Sequence, residues 1–204
     1  MNEQHYENLL NIKTSGEQKI FNESIHYHRY EPTSYSALEE LSKRYGFTAE
    51  DRIVDFGCGK GRFAFFVNHF FSASVTGIEM NHFFYKQAVE NKKAYSKAGK
   101  NRKDNITFLN CFAEKYDIQP TDSKFYFFNP FSMQIFARVI KNILASTEEY
   151  ERTVDILLYY PSNDYIYFLD TSSPFELLDE IPVPSLHDSD PRHRFLVYRL
   201  ESDR

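Results

Sequence analysis

The sequence contains no tryptophan, only two cysteines and no apolar segment long enough to cross a membrane. A membrane helix needs about 20 consecutive apolar residues, and the polar, acidic start Met-Asn-Glu-Gln-His-Tyr-Glu argues against a signal peptide. Cys58 lies inside a glycine-rich turn, which a crosslink would stiffen, so Cys58 and Cys111 do not resemble a disulfide framework. These absences favour a cytoplasmic protein with two reduced thiols.

The chain also lacks a strong net charge of either sign. Its 24 Lys and Arg against 29 Asp and Glu leave a net charge of −5. No overall basic field therefore attracts the protein to nucleic acid. The segment from Lys86 to Lys103 is locally basic, but a helix with one solvated charged face explains it more simply. Nucleic acid is thus a possible partner that the sequence does not favour.

Aromatic residues are abundant, since 20 Phe and 15 Tyr make up 17% of the chain. Core packing is the simpler use of these residues, and some of them can line a ligand cleft. The length of 204 residues is enough for one α/β domain with a sizeable core.

The most informative segment is 52–62, Arg-Ile-Val-Asp-Phe-Gly-Cys-Gly-Lys-Gly-Arg. Here Asp55, Gly57, Gly59 and Gly61 form a D-x-G-x-G-x-G pattern between an apolar strand and a helix. Glycine has no Cβ, so the backbone of such a turn can approach a ligand closely. The start of the helix then presents unpaired N–H groups to that ligand.

Strand and helix signals alternate along the rest of the chain, which predicts crossover connections and a mainly parallel sheet. The predicted strands are Arg52–Phe56, Ser74–Met80, Ile106–Asn110, Lys124–Asn129, Val154–Tyr160, Phe175–Val183 and Arg194–Leu200. The predicted helices are Ser34–Tyr45 with Thr33 as its cap, Gly61–Phe71, Asn81–Ala98, Ser132–Ser146 and a weak helix near Glu17–Ser24. The last two strands have no predicted helix between them and should form an antiparallel hairpin at the sheet edge.

The glycine turn and this order of elements resemble the class I S-adenosylmethionine-dependent methyltransferases. The resemblance implies an α/β, Rossmann-like methyltransferase fold, with a mainly parallel seven-stranded sheet, helices on both faces and a C-terminal antiparallel β-hairpin. It divides the chain into a methyltransferase domain, residues 31–204, and an N-terminal extension, residues 1–30, which is a candidate lid. It also implies S-adenosylmethionine as cofactor and direct displacement of its methyl group by an acceptor.

The resemblance assigns cofactor contacts to the three glycines of the turn and to residues that follow the first three strands. An acid at the position of Asp55 lies near the cationic methionine end of the cofactor in this family. Glu79 is expected to accept hydrogen bonds from the ribose hydroxyls, and Met80 to pack on the adenine. Ala113 fits the small residue expected after the third strand. Phe112 stands where the family has an acid, so we expect it to pack against the adenine.

The acceptor side is predicted from Asn129-Pro130-Phe131, which resembles the [DNS]-P-P-[FYW] motif of amine-directed methyltransferases with one proline missing. The resemblance implies a nitrogen acceptor whose N–H groups bond to the Asn129 oxygen and the Pro130 carbonyl, while Phe131 stacks on it. Tyr30 and Thr33, next to the first predicted helix of the domain, are candidate contacts to the methionine end of the cofactor, and Tyr30 is also a candidate contact to the substrate. Protein amine, nucleobase and small molecule all stay open as acceptors.

Two other functions stay open. The frame Gly59-x-Gly61-x-x-Ala64 satisfies the looser form of a dinucleotide-binding fingerprint, which suggests an NAD(P)-binding oxidoreductase. Asp55 argues against this function, because its carboxylate would face a pyrophosphate. The other is a non-catalytic module that binds the cofactor. Residues 187–193 include two His and two Asp, but their spacing matches no metal motif, so we expect no metal.

Overall fold

Seven strands form a single sheet in the computed structural model, which describes residues 3–16, 30–97 and 105–202. They are β1 (Arg52–Phe56), β2 (Ser74–Ile78), β3 (Ile106–Leu109), β4 (Lys124–Phe127), β5 (Val154–Tyr159), β6 (Glu176–Pro182) and β7 (Arg194–Leu200). Their order in the sheet is β3-β2-β1-β4-β5-β7-β6. The first five are parallel, and β7 pairs antiparallel with both β5 and β6.

Helices pack on both faces of the sheet. They are α1 (Glu3–Leu10), α2 (Tyr35–Arg44), α3 (Arg62–Phe71), α4 (His82–Lys97), α5 (Met133–Glu149), α6 (Asn163–Ser172) and the short α7 (Pro184–His187). The buried residues of α1 to α4 form one core, and those of α5 and α6 form a second. Strand β1 contributes Ile53 to the first core and Val54 and Phe56 to the second, because successive strand side chains point to opposite faces.

The sheet reverses its direction of growth beside β1. The chain moves outward from β1 to β2 and β3, and then returns to place β4 on the other side of β1. Asp55 of β1 is therefore paired with Gly77 of β2 on one side and with Tyr126 of β4 on the other. Ligands of open α/β sheets bind in the crevice outside the carboxyl ends of strands at such a reversal.

The predicted fold class is confirmed, including the parallel strands, the helices on both faces and the C-terminal hairpin. The sequence did not predict α1 or α6, and the expectation of no helix between the hairpin strands was wrong, because α7 lies there. The weak helix expected near Glu17–Ser24 lies outside the described residues.

The start of α2 also differs from the prediction. Ser34, not Thr33, is its N-cap, since the Ser34 hydroxyl accepts a hydrogen bond from the backbone N–H of Ala37 at 3.3 Å. The hydroxyl of Thr33 instead bonds to that of Tyr126, far away in the sequence. Within the described ranges, no helix has both the length and the apolar character needed to span a bilayer.

Candidate functional site

The turn between β1 and α3 has three glycines in the left-handed region, with φ of 77° at Gly57, 54° at Gly59 and 87° at Gly61. The N–H of Gly57 donates to a carbonyl at the end of β2 at 2.9 Å, which holds the turn against the neighbouring strand. A Cβ at Gly57 would lie 2.5 Å from a side-chain carbon of Pro130, and one at Gly59 would lie 2.2 Å from the Tyr30 ring. Both positions therefore require glycine for conformation and for close approach.

A cleft opens beside this turn at the carboxyl edge of the sheet. Its walls come from the segment before α2, the glycine turn, the start of α3, the β2–α4 connection and the segments that follow β3 and β4. The predicted site residues that line the cleft are Tyr30, Asp55, Gly57, Glu79, Met80, Ala113, Pro130 and Phe131. The predicted residues that are not part of its lining are Gly59, Gly61, Phe112 and Asn129.

Two carboxyl groups lie in this cleft with little access to solvent, since Asp55 is 3% and Glu79 8% exposed. Burial, and to a lesser degree the charge of Glu79, raises the pKa of Asp55 well above its usual range. Burial raises the pKa of Glu79 to about 7. The hydrogen bonds that Glu79 accepts from Asn81 N (2.7 Å) and Gly59 N (2.9 Å) act in the opposite direction and lower the pKa. A cationic ligand in the cleft would favour the ionised form of both groups.

Tyr30 forms a fixed part of the outer wall. Its ring lies against Gly59 and stacks on Phe84 of α4, with 4.7 Å between ring centroids. Its hydroxyl donates to the carbonyl of Thr14 at 2.6 Å, and the Lys60 ammonium lies 4.9 Å from the ring centroid. The expected role of Tyr30 as a contact to ligand or substrate stays a prediction, and its position on the cleft wall is compatible with that role.

The cleft has a polar contact that sequence reasoning missed. Thr33 Oγ1 and Tyr126 Oη lie 2.6 Å apart, and Phe63 stacks on the Tyr126 ring with 3.9 Å between centroids. All three residues line the cleft. Tyr126 is part of an apolar strand, where an aromatic residue is normally core, so only the fold reveals that its hydroxyl reaches the site.

The residues that the resemblance assigns to the adenine end of the cofactor follow β2 and β3. The Asn110 amide donates to the carbonyls of Glu79 (2.7 Å) and Met80 (3.0 Å), which ties these two strand ends together. Phe112 is 52% exposed and lies outside the cleft lining, which includes Cys111 instead. For Phe112 to pack on an adenine its ring would have to turn towards the cleft, and that role stays a prediction.

The acceptor motif lies after β4. Asn129 has a left-handed φ of 39°, and its Oδ1 is buried. Pro130 lines the cleft. Phe131 has no exposed surface. Its ring and that of Phe127 pack edge to face, and its carbonyl accepts a hydrogen bond from the Tyr165 hydroxyl. Stacking of Phe131 on a substrate would need the ring to leave this core, so that role also stays a prediction.

The neighbouring strand end has the same irregular backbone. Tyr160, just after β5, has a φ of 49°, and such strained residues concentrate at functional sites. Phe128, which lines the cleft, packs edge-on against Tyr159 at 4.7 Å between centroids. The Tyr160 hydroxyl donates to Asp190 at 2.7 Å, so the loop before β7 is held against this strand end.

Arg62 is a further cleft residue that the sequence analysis missed, and it is only 4% exposed. The sequence contained a signal for this role. A cation in the first turn of a helix is repelled by the positive end of the helix dipole, so its presence there indicates that anions lie nearby. Among the residues that the structure describes, no group of three or more His, Cys, Asp or Glu is arranged to hold a metal ion.

Comparison with known proteins gives matches only at the level of structure. No protein-family model matches the chain, and no curated protein matches its sequence. Among solved structures, the [4+2]-cyclase SpnF superposes with a TM-score of 0.60 at 14% identity, covering 88% of each chain. The chain has the class I methyltransferase fold.

Two further matches have S-adenosylhomocysteine bound. The SAM-dependent methyltransferase from Thiobacillus denitrificans gives a TM-score of 0.55 at 14% identity, covering 84% of this chain and 93% of that one. The RNA methyltransferase from Salinibacter ruber gives 0.53 at 17% identity, covering 83% and 92%. These likenesses confirm the fold expected from the sequence. A cyclase among the matches illustrates that this fold alone does not decide the reaction.

Proposed function

We propose that the protein is an S-adenosylmethionine-dependent methyltransferase. The observation that carries the proposal is the pair of buried carboxyl groups, Asp55 and Glu79, beside a glycine turn at the sheet reversal. Such a site suits a ligand that combines a positive charge with ribose hydroxyls. S-adenosylmethionine has both, in its sulfonium and its adenosine.

The sign of the charge separates this cofactor from a dinucleotide. Two unit charges 4 Å apart interact by roughly 4 kcal/mol in a partly buried site. The interaction with Asp55 or Glu79 would be attractive for a sulfonium and repulsive for a diphosphate. The Gly59-x-Gly61-x-x-Ala64 frame adds no support for NAD, because Ala64 is wholly buried and its small size is explained by helix packing.

The residues of the cleft divide into three roles in this proposal. Glu79 accepts hydrogen bonds from the ribose hydroxyls, and Asp55 favours the cationic methionine end. Met80 and Ala113 flank the adenine. When bound, S-adenosylmethionine supplies an electrophilic methyl group. The chain then has only to align the acceptor and exclude water, since direct displacement needs no nucleophile from the protein.

For the acceptor we propose a nitrogen atom, oriented by Asn129 and the Pro130 carbonyl at the end of β4. The position of Pro130 in the cleft wall supports this proposal. The side chain of Asn129 would have to rotate to bring its buried Oδ1 to an acceptor. Whether the acceptor is a protein amine, a nucleobase or a small molecule is left open.

Isothermal calorimetry with S-adenosylmethionine, S-adenosylhomocysteine and NAD tests the cofactor. The first two should bind and NAD should not. Asp55→Asn should weaken S-adenosylmethionine more than S-adenosylhomocysteine, because only the former has a sulfonium. Asp122→Asn is the matched control, since Asp122 is also buried with a raised pKa but precedes β4 at the opposite edge of the sheet.

Tight binding of NAD with none of S-adenosylhomocysteine would overturn the proposal. To test methyl transfer itself, cell extract is incubated with the protein and methyl-labelled cofactor, and the labelled product is then isolated. Cofactor binding without a labelled product from any extract would instead favour the non-catalytic module or a different reaction.

A further inference from the structure

Arg62, the first residue of α3, joins three parts of the chain that are distant in sequence. Its Nε donates to Thr14 Oγ1 at 2.7 Å, and its Nη2 donates to Ser15 Oγ at 3.3 Å. Its Nη1 donates to the backbone carbonyl of Thr33 at 3.1 Å. One side chain thus connects the residues after α1, the segment before α2 and the helix that follows the glycine turn.

Helix α1 provides the counter-charges for this arginine. Glu3 lies 2.6 Å from Nη1, and the buried carboxylate of Glu7 lies 3.5 Å from Nη2. Glu7 also accepts hydrogen bonds from the N–H (2.9 Å) and hydroxyl (2.5 Å) of Thr14. The guanidinium stacks over the Tyr35 ring at 4.4 Å from its centroid. A buried charge that is paired in this way loses much of its stabilisation when one partner is removed.

These contacts converge on the cleft wall formed by residues 30–33. Arg62 holds the Thr33 backbone, while the Thr33 hydroxyl is held by Tyr126. The Tyr30 hydroxyl donates to the carbonyl of Thr14, the same residue whose side chain bonds to Arg62. The hydrogen bonds of Arg62 and of its partner Thr14 thus reach this wall at two points, Thr33 and Tyr30.

We propose that Arg62 is a positioning residue of the cofactor site, through which α1 sets the position of the wall formed by residues 30–33. Only the choice of ligand for the test rests on the proposed function. The positioning itself is a property of the ligand-free protein. It predicts that changes on α1, outside the cleft lining, alter cofactor affinity through Arg62.

The variants for the test are Arg62→Met, Arg62→Lys and Glu3→Gln, with Arg152→Met as the matched control. Arg152 also donates several hydrogen bonds, with 2.7 Å to the Asp122 carbonyl and 3.0 Å to that of Ser146. It lies outside the cleft lining, before β5. Its loss should destabilise the fold without moving the cleft wall.

Hydrogen–deuterium exchange of the ligand-free protein is the first readout, and the Kd of S-adenosylhomocysteine is the second. Arg62→Met should speed exchange in residues 30–41 relative to β5, and raise the Kd at least tenfold. Arg62→Lys should be intermediate, because lysine keeps the charge but not the planar fork. Glu3→Gln should act in the same direction more weakly. Arg152→Met should leave both readouts unchanged at a temperature where it is folded.

The proposal is overturned if Arg62→Met matches Arg152→Met in both readouts, because Arg62 would then contribute only to overall stability. If Arg62→Met does not fold, the same two readouts on Arg62→Lys and Glu3→Gln decide the proposal. Glu3→Gln should fold, because Glu3 is half-exposed and Glu7 still lies beside the arginine in this variant. Wild-type protein that fails to bind S-adenosylhomocysteine would contradict the proposed function, and the exchange data would still decide the role of Arg62.

Discussion

The titration of Glu79 should make the stability of the ligand-free protein fall as the pH rises towards neutrality. Burial raises the pKa of Glu79 from its ordinary 4.5 to about 7. A carboxyl group with a raised pKa in the folded state favours folding fully below the unfolded pKa, and loses that contribution as the pH approaches the folded pKa. The shift of roughly 2.5 units corresponds to about 3 kcal/mol, at about 1.4 kcal/mol per unit.

The perturbation is Glu79→Gln, compared with wild type by urea unfolding at several values between pH 4.5 and 8. Glutamine has only one oxygen to accept from the two N–H groups of Gly59 and Asn81. The lost hydrogen bond lowers the free energy of unfolding of the variant by an amount that does not change with pH. The informative quantity is the change in the difference of unfolding free energies. Relative to the variant, the free energy of unfolding of wild type should fall by about 3 kcal/mol between pH 4.5 and 7, and by little more above pH 7.

The control variant is Glu90→Gln on α4, the same substitution at an exposed glutamate outside the cleft lining. A difference between wild type and Glu79→Gln that stays constant within about 0.5 kcal/mol across the range would refute the reasoning. It would mean that water or a nearby group solvates the Glu79 carboxylate in the folded protein.

Three substitutions test other parts of the site. Asn129→Ala should lower the turnover of methyl transfer with little change in S-adenosylhomocysteine affinity, because alignment acts mainly in the transition state; equal turnover would remove Asn129 from the mechanism. Phe131→Ala should lower the free energy of unfolding by about 3–5 kcal/mol in urea titrations, because the ring is wholly buried; a stable variant with only a raised KM would instead favour substrate stacking. Gly59→Ala should lower both stability and cofactor affinity, because of the positive φ and the contact with the Tyr30 ring. Gly46→Ala, where a Cβ meets no atom within 4 Å, should match wild type in both measurements.

The sheet and the glycine turn could be predicted because their signals are local. β1 reads as a short apolar run, and the three glycines that follow it can adopt backbone angles that other residues avoid. Asp55 and Glu79 could also be assigned to one site, because each lies at the carboxyl end of a parallel strand. The parallel register pairs Asp55 with Gly77, two residues before Glu79, so both acids reach the carboxyl edge of the sheet.

The docking of α1 could not be predicted because its signals are long-range. The helix has eight residues, which is too short to be stable alone in water. Its buried Tyr6 stacks on Tyr35, at 4.5 Å between ring centroids, and its hydroxyl donates to Glu39. Its Glu7 faces Arg62 across a large gap in sequence. Nothing in residues 3–10 by themselves indicates these contacts.

Two phenylalanines show why residue type alone did not define the walls of the cleft. Phe112 and Phe131 each follow a strand of the parallel sheet, and the sequence suggested a ligand-facing ring for both. After β4, the left-handed backbone at Asn129 redirects the chain, and Phe131 enters the core beneath Tyr165. Phe112 precedes a 3-10 turn and remains exposed. The two rings lie in different surroundings at equivalent strand ends, because the backbone angles of each segment decide where its ring points. A carboxylate predicted at a strand end needs less information, because burial at the carboxyl edge of the sheet already raises its pKa, as at Asp55 and Glu79. The acids of this site are therefore stronger evidence for its chemistry than its aromatic residues are.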